Sequence, residues 1–177
     1  MRALGRGSVS SFLKVILDVF HVVLWVGVGL ATVGAVIALL LSFRPDIIAS
    51  HIDIDNINVR GAWLGPAAAA FCLIGDLYMA GGIIVVTRLR AVFKTLIAGD
   101  PFHPDNAGRL RSIGATLAIL ELGRYMVAAV TRLFFHGALH IGGGISLTTW
   151  FAVLVIFVLA EVFREGARLR GEAELTI

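Results

Sequence analysis

Four long apolar runs constrain the fold of this chain more than any other feature of its sequence. They cover residues 13–41, 63–86, 113–135 and 145–163, and each reaches the roughly 20 residues that a membrane-spanning helix needs. Only helices and closed β-barrels cross a bilayer, because its core offers the backbone no hydrogen-bond partners, and these runs lack the alternation of barrel strands. The runs therefore predict an all-α integral membrane protein, a bundle of four transmembrane helices.

Length and composition set limits on the domain organisation. The chain has 177 residues, of which 58% are hydrophobic and 15% charged, and its mean hydropathy is +0.92. Four spans use about 80 to 90 positions, so the remainder suffices for loops and tails but not for a second folded domain. We therefore expect a single membrane domain over residues 1–177. The lone Cys72 excludes a framework of disulfides within the chain.

The distribution of positive charge predicts the orientation of the spans. Of the 15 Lys and Arg residues, 11 lie before or at the start of the first run, between the second and third runs, or after the fourth. The segments on the opposite side carry only Arg44 and Arg60. Because cytoplasmic segments are enriched in Lys and Arg, we predict that both termini and a loop at 87–112 are cytoplasmic, in a bacterial inner membrane. The net charge of +3 then reflects topology rather than direct nucleic-acid binding.

Five ionisable residues lie at membrane depth, where a charge costs about 2.5 to 3.5 kcal/mol at a helix centre. They form a predicted intramembrane polar network: Asp18, His21, Asp76, Glu121 and Arg124. Counting about 1.5 Å per residue from the cytoplasmic ends gives Asp76 and Arg124 similar depths, which predicts an ion pair between them. Glu121 is expected to bond to His21 or to Arg124. The network has two interpretations, structural contacts between helices or a pathway for protons or ions.

Helical spacing places the polar and small residues of each run on one face. The stripe of the third run consists of Glu121, Arg124, Tyr125, Ala128 and Arg132. The face of the second run consists of Gly65, Ala69, Cys72 and Asp76, and that of the first of Asp18, His21, Trp25, Gly29 and Thr32. Small residues on the second run favour close approach of a neighbouring helix.

The stretch between the second and third runs predicts a helix that leaves the membrane, a turn and a new helix start. Residues Arg88–Ile97 continue the second helix, and Gly99 ends it. His103 then stands at the cap position with Pro104 in the first turn, and the negative charge of Asp105 suits a helix N-terminus.

A compact set of residues joins the second and third runs: Phe93-Lys94, Gly99-Asp100-Pro101-Phe102, Asn106, Arg109-Leu110-Arg111 and Ile113-Gly114. These residues resemble the signature of the domain of unknown function 2975 (DUF2975) family of small four-span bacterial membrane proteins. The length and the four-span layout match over nearly the whole chain. His103 stands where members usually have Ser or Thr, and Gly108 where a longer side chain is usual.

The resemblance implies a fold more than a function, because the family is defined without a known activity. Genes of the family often lie beside one for a small helix-turn-helix regulator, which implies a cytoplasmic transcription factor as a partner. A docking loop is therefore predicted, with Phe102, Asn106, Arg109 and Arg111 as its candidate residues. In the alternative interpretation, Phe102 packs at the helix start while Arg109 and Arg111 contact lipid headgroups.

The two segments on the opposite side predict no metal site. Residues 42–62 alternate around Asp55-Asn56, which is typical of a short hairpin, and Asp53-x-Asp55 lacks the glycine and the terminal Glu of a calcium loop. The three histidines of these segments are a weak signal for a metal: His51, His136 and His140.

The sequence as a whole favours a non-enzymatic protein that acts in the bilayer as a regulatory or sensory partner of a cytoplasmic transcription factor. We expect no cofactor and no catalytic residues, since the chain shows neither a nucleophile with an ordered base nor a set of metal ligands. The alternative is a small proton- or ion-coupled transport component that uses Asp76, Glu121 and Arg124. The sequence leaves open whether the chain forms homo-oligomers, and it names no stimulus.

Overall fold

The computed structural model describes residues 9–43, 64–135 and 144–175, which are helical apart from short turns. The helices are α1 (Val9–Ser42), α2 (Leu64–Ile97), α3 (Pro104–Phe135) and α4 (Leu147–Glu174). No strand occurs in the described ranges, and all four helices are long and apolar enough to cross a membrane. The prediction of an all-α chain with four such helices is confirmed for these ranges. The predicted hairpin around Asp55-Asn56 and the three loop histidines lie outside them.

Three of the helices extend well beyond the apolar runs. α2 continues 11 residues past the end of its run, α3 begins nine residues before its run, and α4 continues 11 residues past its run. The stretch 87–112 is therefore not a loop as a whole, because only residues 98–103 connect α2 to α3 without helix. Outside the hydrocarbon core a helix needs no continuous apolar run, so hydropathy marks the span and not the full helix.

Gly99 ends α2 in a Schellman motif, in which a left-handed residue turns the chain away from the helix. Its φ is 84°. The N–H of Gly99 donates to the carbonyl of Leu96 at 3.1 Å, and the N–H of Asp100 donates to the carbonyl of Thr95 at 3.0 Å. Glycine adopts this conformation at little cost because it has no Cβ. α3 then begins at Pro104, as predicted, where the missing N–H costs no helical hydrogen bond.

The chain divides into two compact units. The small unit consists of residues 22–80, and the large unit of residues 1–21 and 81–177. The boundaries between the units fall within α1 and within α2, so each of these helices contributes to both units.

In the small unit, α1 and α2 pack as antiparallel neighbours through small residues. A Cβ added to Gly34 of α1 would lie 3.5 Å from Sγ of Cys72 of α2, and one added to Gly65 would clash with the side chain of Ser42. Ala69, between the two α2 positions, is only 2% exposed. The predicted small-residue face of the second run therefore meets α1, and close approach of the backbones follows from the absence of larger side chains.

In the large unit, α3 packs against α2 on one side and against α4 on the other. A Cβ on Gly81 of α2 would lie 2.7 Å from Leu120, and one on Gly114 would lie 3.1 Å from the ring of Phe157 in α4. Buried residues recur along α3 about every seven positions, which is the spacing of a helix packed along its length. The buried residues of α3 are Asn106, Ala107, Ile113, Gly114, Glu121, Ala128 and Thr131.

Large apolar side chains cover the outward faces of the helices. Leu30, Phe71 and Met126 are each at least 70% exposed. Soluble monomers rarely expose apolar surface on this scale, whereas lipid chains would cover it in a bilayer. The surface therefore agrees with the hydropathy in identifying helices suited to an integral membrane protein.

Candidate functional site

The end of α2, the 98–103 turn and the start of α3 form a corner (residues 91–111) around one buried amide. Asn106 is fully buried. Its Nδ2 donates to Oγ1 of Thr95 at 2.7 Å and to the carbonyl of Pro101 at 3.0 Å, and its Oδ1 accepts from Nη1 of Arg109 at 2.9 Å. One side chain in the first turn of α3 thus joins both helices and the turn between them.

Arg109 extends the same set of contacts. Its Nη1 also donates to the carbonyl of Ala91 in α2 at 3.2 Å, and its Nη2 donates to Asp105 at 3.3 Å. A guanidinium presents five N–H donors in one plane, so a single side chain reaches a backbone carbonyl of α2 and two side chains of α3. The guanidinium of Arg109 therefore forms these hydrogen bonds with groups inside the corner.

His103 caps the N-terminus of α3, as predicted from its position. Its Nδ1 accepts a hydrogen bond from the backbone N–H of Asp105 at 3.2 Å. This is the bond that a Ser or Thr oxygen usually accepts at a helix N-cap. The imidazole thus performs the capping role at the position where the family resemblance leads us to expect a hydroxyl.

Phe102 attaches the corner to α4 through apolar contact. The ring centroids of Phe102 and Phe163 are 5.8 Å apart with the planes tilted by 49°, which is a favourable geometry for an aromatic pair. Phe102 also lies over Gly166, where an added Cβ would overlap its ring. The glycine therefore makes room for the ring on α4.

Ion pairs also join α4 to the corner. Arg170 of α4 pairs with Asp100 in the 98–103 turn. Glu161 of α4 accepts from Arg111 of α3 at 3.1 Å and also pairs with Arg164. The side chains of these pairs are between 32% and 59% exposed. Each pair therefore contributes little by itself, but together they align α4 with the start of α3.

The structure brings the four predicted docking residues together but gives them different roles. Asn106 and Arg109 hold the corner, and the buried Asn106 cannot contact a docked protein. Phe102 and Arg111 contact α4 and remain 40% and 49% exposed. The exposed residues of the turn and of the start of α3 form a surface that we name the corner face. It consists of Pro101, Phe102, Pro104, Asp105, Gly108 and Arg111.

A second polar cluster surrounds Glu121, deep in the apolar part of α3. The carboxylate is 7% exposed and accepts two hydrogen bonds from Arg124, from Nε at 3.1 Å and from Nη2 at 2.6 Å. Arg124 also donates to the carbonyl of Gly144 at 3.0 Å, and its guanidinium lies 5.0 Å from the ring centre of Tyr125. Of the two partners predicted for Glu121, the pairing with Arg124 is confirmed.

Tyr125 connects this cluster to the start of α4. Its hydroxyl accepts from the backbone N–H of Ser146 at 3.2 Å and from Nε1 of Trp150 at 3.1 Å. Ser146 is itself the N-cap of α4, with its Oγ accepting from the N–H of Thr149. Two backbone N–H groups at the start of α4, those of Ser146 and Thr149, thereby have side-chain hydrogen-bond partners.

The two other acidic residues of the predicted network occupy separate places. In the small unit, Oδ2 of Asp76 accepts from Oγ1 of Thr32 at 3.0 Å, while its Oδ1 is buried and accepts no hydrogen bond from the residues that the structure describes. In the large unit, Asp18 pairs with Arg90 at 2.7 Å. Asp76, Asp18 and Glu121 thus each have a different partner, namely Thr32, Arg90 and Arg124. The predicted ion pair of Asp76 with Arg124 would join the two units and stays a prediction.

Several residues of these sites were not identified from the sequence. Ser146 carried a recognisable signal, because a Ser at the start of an apolar run is typical of an N-cap. Thr95 and Trp150 carried none, since each acts through a side chain on another helix. In the ranges 9–43, 64–135 and 144–175, no cluster of three His, Cys, Asp or Glu side chains is suited to hold a metal.

Comparison with known proteins adds one relationship. The sequence model of a family described as "Protein of unknown function (DUF2975)" matches residues 51–177. The match includes α2, the corner, α3 and α4. Searches among curated proteins and among solved structures found no match to the chain.

Proposed function

Because the chain belongs to the DUF2975 family of proteins of unknown function, we propose its function from the geometry of the corner. The protein is a non-enzymatic component of the bacterial inner membrane whose corner face binds a soluble cytoplasmic protein. The partner is a small helix-turn-helix regulator, and its capture at the membrane would limit its access to DNA. Binding of the regulator is the first property to test, because any effect on transcription would depend on it.

The proposed orientation follows from charge and from the contacts of the large unit. The corner joins the end of α2 to the start of α3, and Asp18 near the start of α1 pairs with Arg90 near the end of α2. The end of α4 meets the corner through Arg170. The chain segments rich in Lys and Arg therefore lie at one end of this unit. The positive-inside rule makes that end cytoplasmic, with both termini on the same side.

The observation that carries the proposal is a rigid helical layer beyond the apolar spans. α2, α3 and α4 extend nine to 11 residues past their runs at this end, which corresponds to roughly 15 Å at 1.5 Å per residue. Asn106, Arg109 and Phe102 fix the helices in this layer to one another. A surface that is preorganised in this way loses little conformational entropy when a protein binds it.

Gly108 offers a direct probe of the corner face. It is exposed on α3, and a Cβ added there meets no atom within 4 Å. A large side chain at this position would therefore block a docked protein without disturbing the corner. Gly171 on α4 is also exposed with open space around it, and it lies outside the corner face, so it provides a matched control.

The experiment is a crosslinking pull-down of tagged protein from native membranes, with wild type, Gly108→Trp and Gly171→Trp compared at equal membrane abundance. We expect wild type and Gly171→Trp to recover a soluble DNA-binding protein that Gly108→Trp loses. Recovery of the same protein by Gly108→Trp would place the binding surface elsewhere. Failure of the wild type to retain any cytoplasmic protein would overturn the proposal.

A second candidate function rests on Asp76. A buried carboxylate oxygen without a hydrogen-bond donor is unusual, and ionisable groups at membrane depth often serve proton or ion movement. Of the three residues predicted for transport, Glu121 and Arg124 are engaged with each other, whereas Asp76 keeps one buried oxygen without a donor among the described residues. Proteoliposomes with wild type or Asp76→Asn distinguish the two functions, because proton or cation flux that the variant abolishes would favour transport.

A further inference from the structure

One backbone N–H in the first turn of α3 depends on the imidazole that precedes the helix. Pro104 has no N–H, and the N–H of Asn106 donates to the carbonyl of His103 at 2.9 Å. The N–H of Asp105 donates instead to Nδ1 of His103, at 3.2 Å. Because Nδ1 accepts this bond, the imidazole is neutral and carries its proton on Nε2. The start of α3 is thus capped by a group that can gain a charge.

Protonation of this imidazole removes the acceptor. A protonated imidazole has two N–H donors and no acceptor, so Nδ1 and the N–H of Asp105 would then present two donors to each other. Histidine is the side chain whose ordinary titration falls between about pH 5 and 8, and His103 is 36% exposed, so water can deliver the proton. A Ser or Thr hydroxyl, the usual cap, does not titrate in this range. Histidine at this position therefore makes the cap sensitive to pH.

A carboxylate beside the imidazole offers the protonated ring a new partner. Oδ2 of Asp105 lies 3.7 Å from Nδ1 of His103, so a small rotation brings the two atoms within hydrogen-bond distance. The same oxygen accepts from Nη2 of Arg109 at 3.3 Å in the neutral arrangement. Arg109 also bonds to the carbonyl of Ala91 and to Asn106. The rest of the corner therefore keeps its contacts when the carboxylate changes its partner.

The charged groups of the neighbouring elements have positions or partners of their own. Apart from Asp105 and Arg109, the charged side chains of the corner and of the α4 residues paired with it are Lys94, Asp100, Arg111, Glu161 and Arg170. Lys94 is exposed on α2, while the other four form two pairs between the corner and α4. Among the residues that the structure describes, Asp105 is the acidic side chain within ion-pair distance of the imidazole. It is therefore the acceptor nearest to a protonated His103.

We propose that His103 is a pH-sensitive cap of α3. The neutral imidazole accepts the N–H of Asp105, and the protonated imidazole donates to the carboxylate of Asp105 instead. The exchange weakens the helix start, because an exposed ion pair stabilises less than a cap bond does and a positive charge is unfavourable at a helix N-terminus. The start of α3 is therefore held more firmly above the titration range of imidazole than below it.

The exchange also changes the surface of the corner. Pro104 and Asp105 belong to the corner face, so a looser helix start alters the surface that the proposed partner meets. That consequence rests on the proposed function, whereas the exchange of hydrogen bonds does not. The test therefore uses the protein without a partner.

The test measures hydrogen exchange of the Asp105 amide by NMR, in the full-length protein labelled with ¹⁵N-aspartate in detergent micelles, from about pH 8 to about pH 5. Each rate is divided by the rate of an unstructured peptide at the same pH, so that only protection by the hydrogen bond is compared. His103→Ser keeps a cap that does not titrate, and His103→Ala has none. The amide of Asp100, which donates to the carbonyl of Thr95 at 3.0 Å, is the internal reference.

We expect the wild type to match His103→Ser at the upper end of this range and His103→Ala at the lower end. The loss of protection should be roughly two- to 30-fold, the range that removal of a cap gives, while the Asp100 amide keeps its protection. Equal protection of the wild-type Asp105 amide at both ends would overturn the proposal. The same loss in His103→Ser would also overturn it, because another group would then be titrating, and so would a parallel loss at Asp100, because the turn would then open as a whole.

Discussion

Asn106 is a polar side chain that the fold buries completely, in a chain whose other buried side chains are mostly small or apolar. Burial of an amide is tolerated only when its donors and acceptor are paired. Here Thr95, Pro101 and Arg109 supply those partners. Because the three partners come from different segments, the same side chain that satisfies its own hydrogen bonds also determines the geometry of the corner.

Replacement of this amide is the first prediction. Asn106→Ala should lower the free energy of unfolding by about 1 to 3 kcal/mol, because buried partner groups are left without hydrogen bonds. Unfolding of the detergent-solubilised protein by titration with SDS measures the change. Asp105→Ala is the control, since Asp105 is exposed and its pair with Arg109 contributes only about 0 to 1 kcal/mol. Equal effects of the two substitutions would contradict the assigned role of Asn106.

The second prediction concerns Glu121 and Arg124. Each single replacement, Glu121→Ala or Arg124→Ala, leaves the other charge in a low-dielectric setting without its main partner. The double variant should therefore be less destabilised than the sum of the single variants. The same SDS titration gives the coupling between the two residues. Strictly additive effects would show that the bidentate pair contributes nothing specific to stability.

The exposed pair of Arg168 with Glu165 is the matched control for that cycle. It has the same i, i+3 relationship on α4 but both side chains are about half exposed or more. Water screens such a pair, so its coupling should be close to zero. The contrast between the two cycles isolates the effect of membrane depth from that of helical spacing.

At the scale of the helices, glycines decide where two helices can approach. Gly114 and Gly108 lie on the same helix, six residues apart, yet a Cβ on Gly114 would lie 3.1 Å from Phe157 while one on Gly108 meets open space. The first position belongs to the contact of α3 with α4, and the second to the corner face. Their sequence neighbourhoods do not reveal this difference.

The third prediction uses this pair of glycines. Gly114→Ala should destabilise the protein by about 1 to 3 kcal/mol, because the added methyl overpacks the contact with α4. Gly108→Ala should stabilise it by up to about 1 kcal/mol, because alanine favours an exposed helix more than glycine does. Opposite signs in the unfolding titration are the expected result. Stabilisation by Gly114→Ala would mean that α4 moves away readily and that the contact is loose.

At the scale of the whole molecule, the fourth prediction is the topology. With Cys72 replaced by alanine, single cysteines are introduced by Ser50→Cys and by Gly108→Cys. A thiol reagent that cannot cross membranes should label Ser50→Cys in intact spheroplasts and should label Gly108→Cys only after lysis, since the corner is proposed to be cytoplasmic. The reverse pattern would place the corner outside and would exclude a cytoplasmic partner.

Much of the fold could be predicted because its signals are local in the sequence. Hydropathy identified the four spans, and Gly99, His103 and Pro104 marked the end of α2 and the start of α3 in the positions that the structure shows. The extent of the helices beyond the apolar runs was only partly predicted. Hydropathy reports the contact with lipid, whereas helical hydrogen bonding continues wherever the backbone geometry permits.

The sites could be predicted less well, because their contacts join distant parts of the chain. The sequence by itself determined which residues must avoid lipid, since a charge such as that of Glu121 is costly there whatever surrounds it. It also determined which residues cluster at the turn. Only the tertiary structure decided that Arg124 is the partner of Glu121 and that Asn106 is buried while Phe102 stays accessible. The cost of exposing a side chain to lipid is a property of that residue, but the identity of its partner depends on how the helices pack.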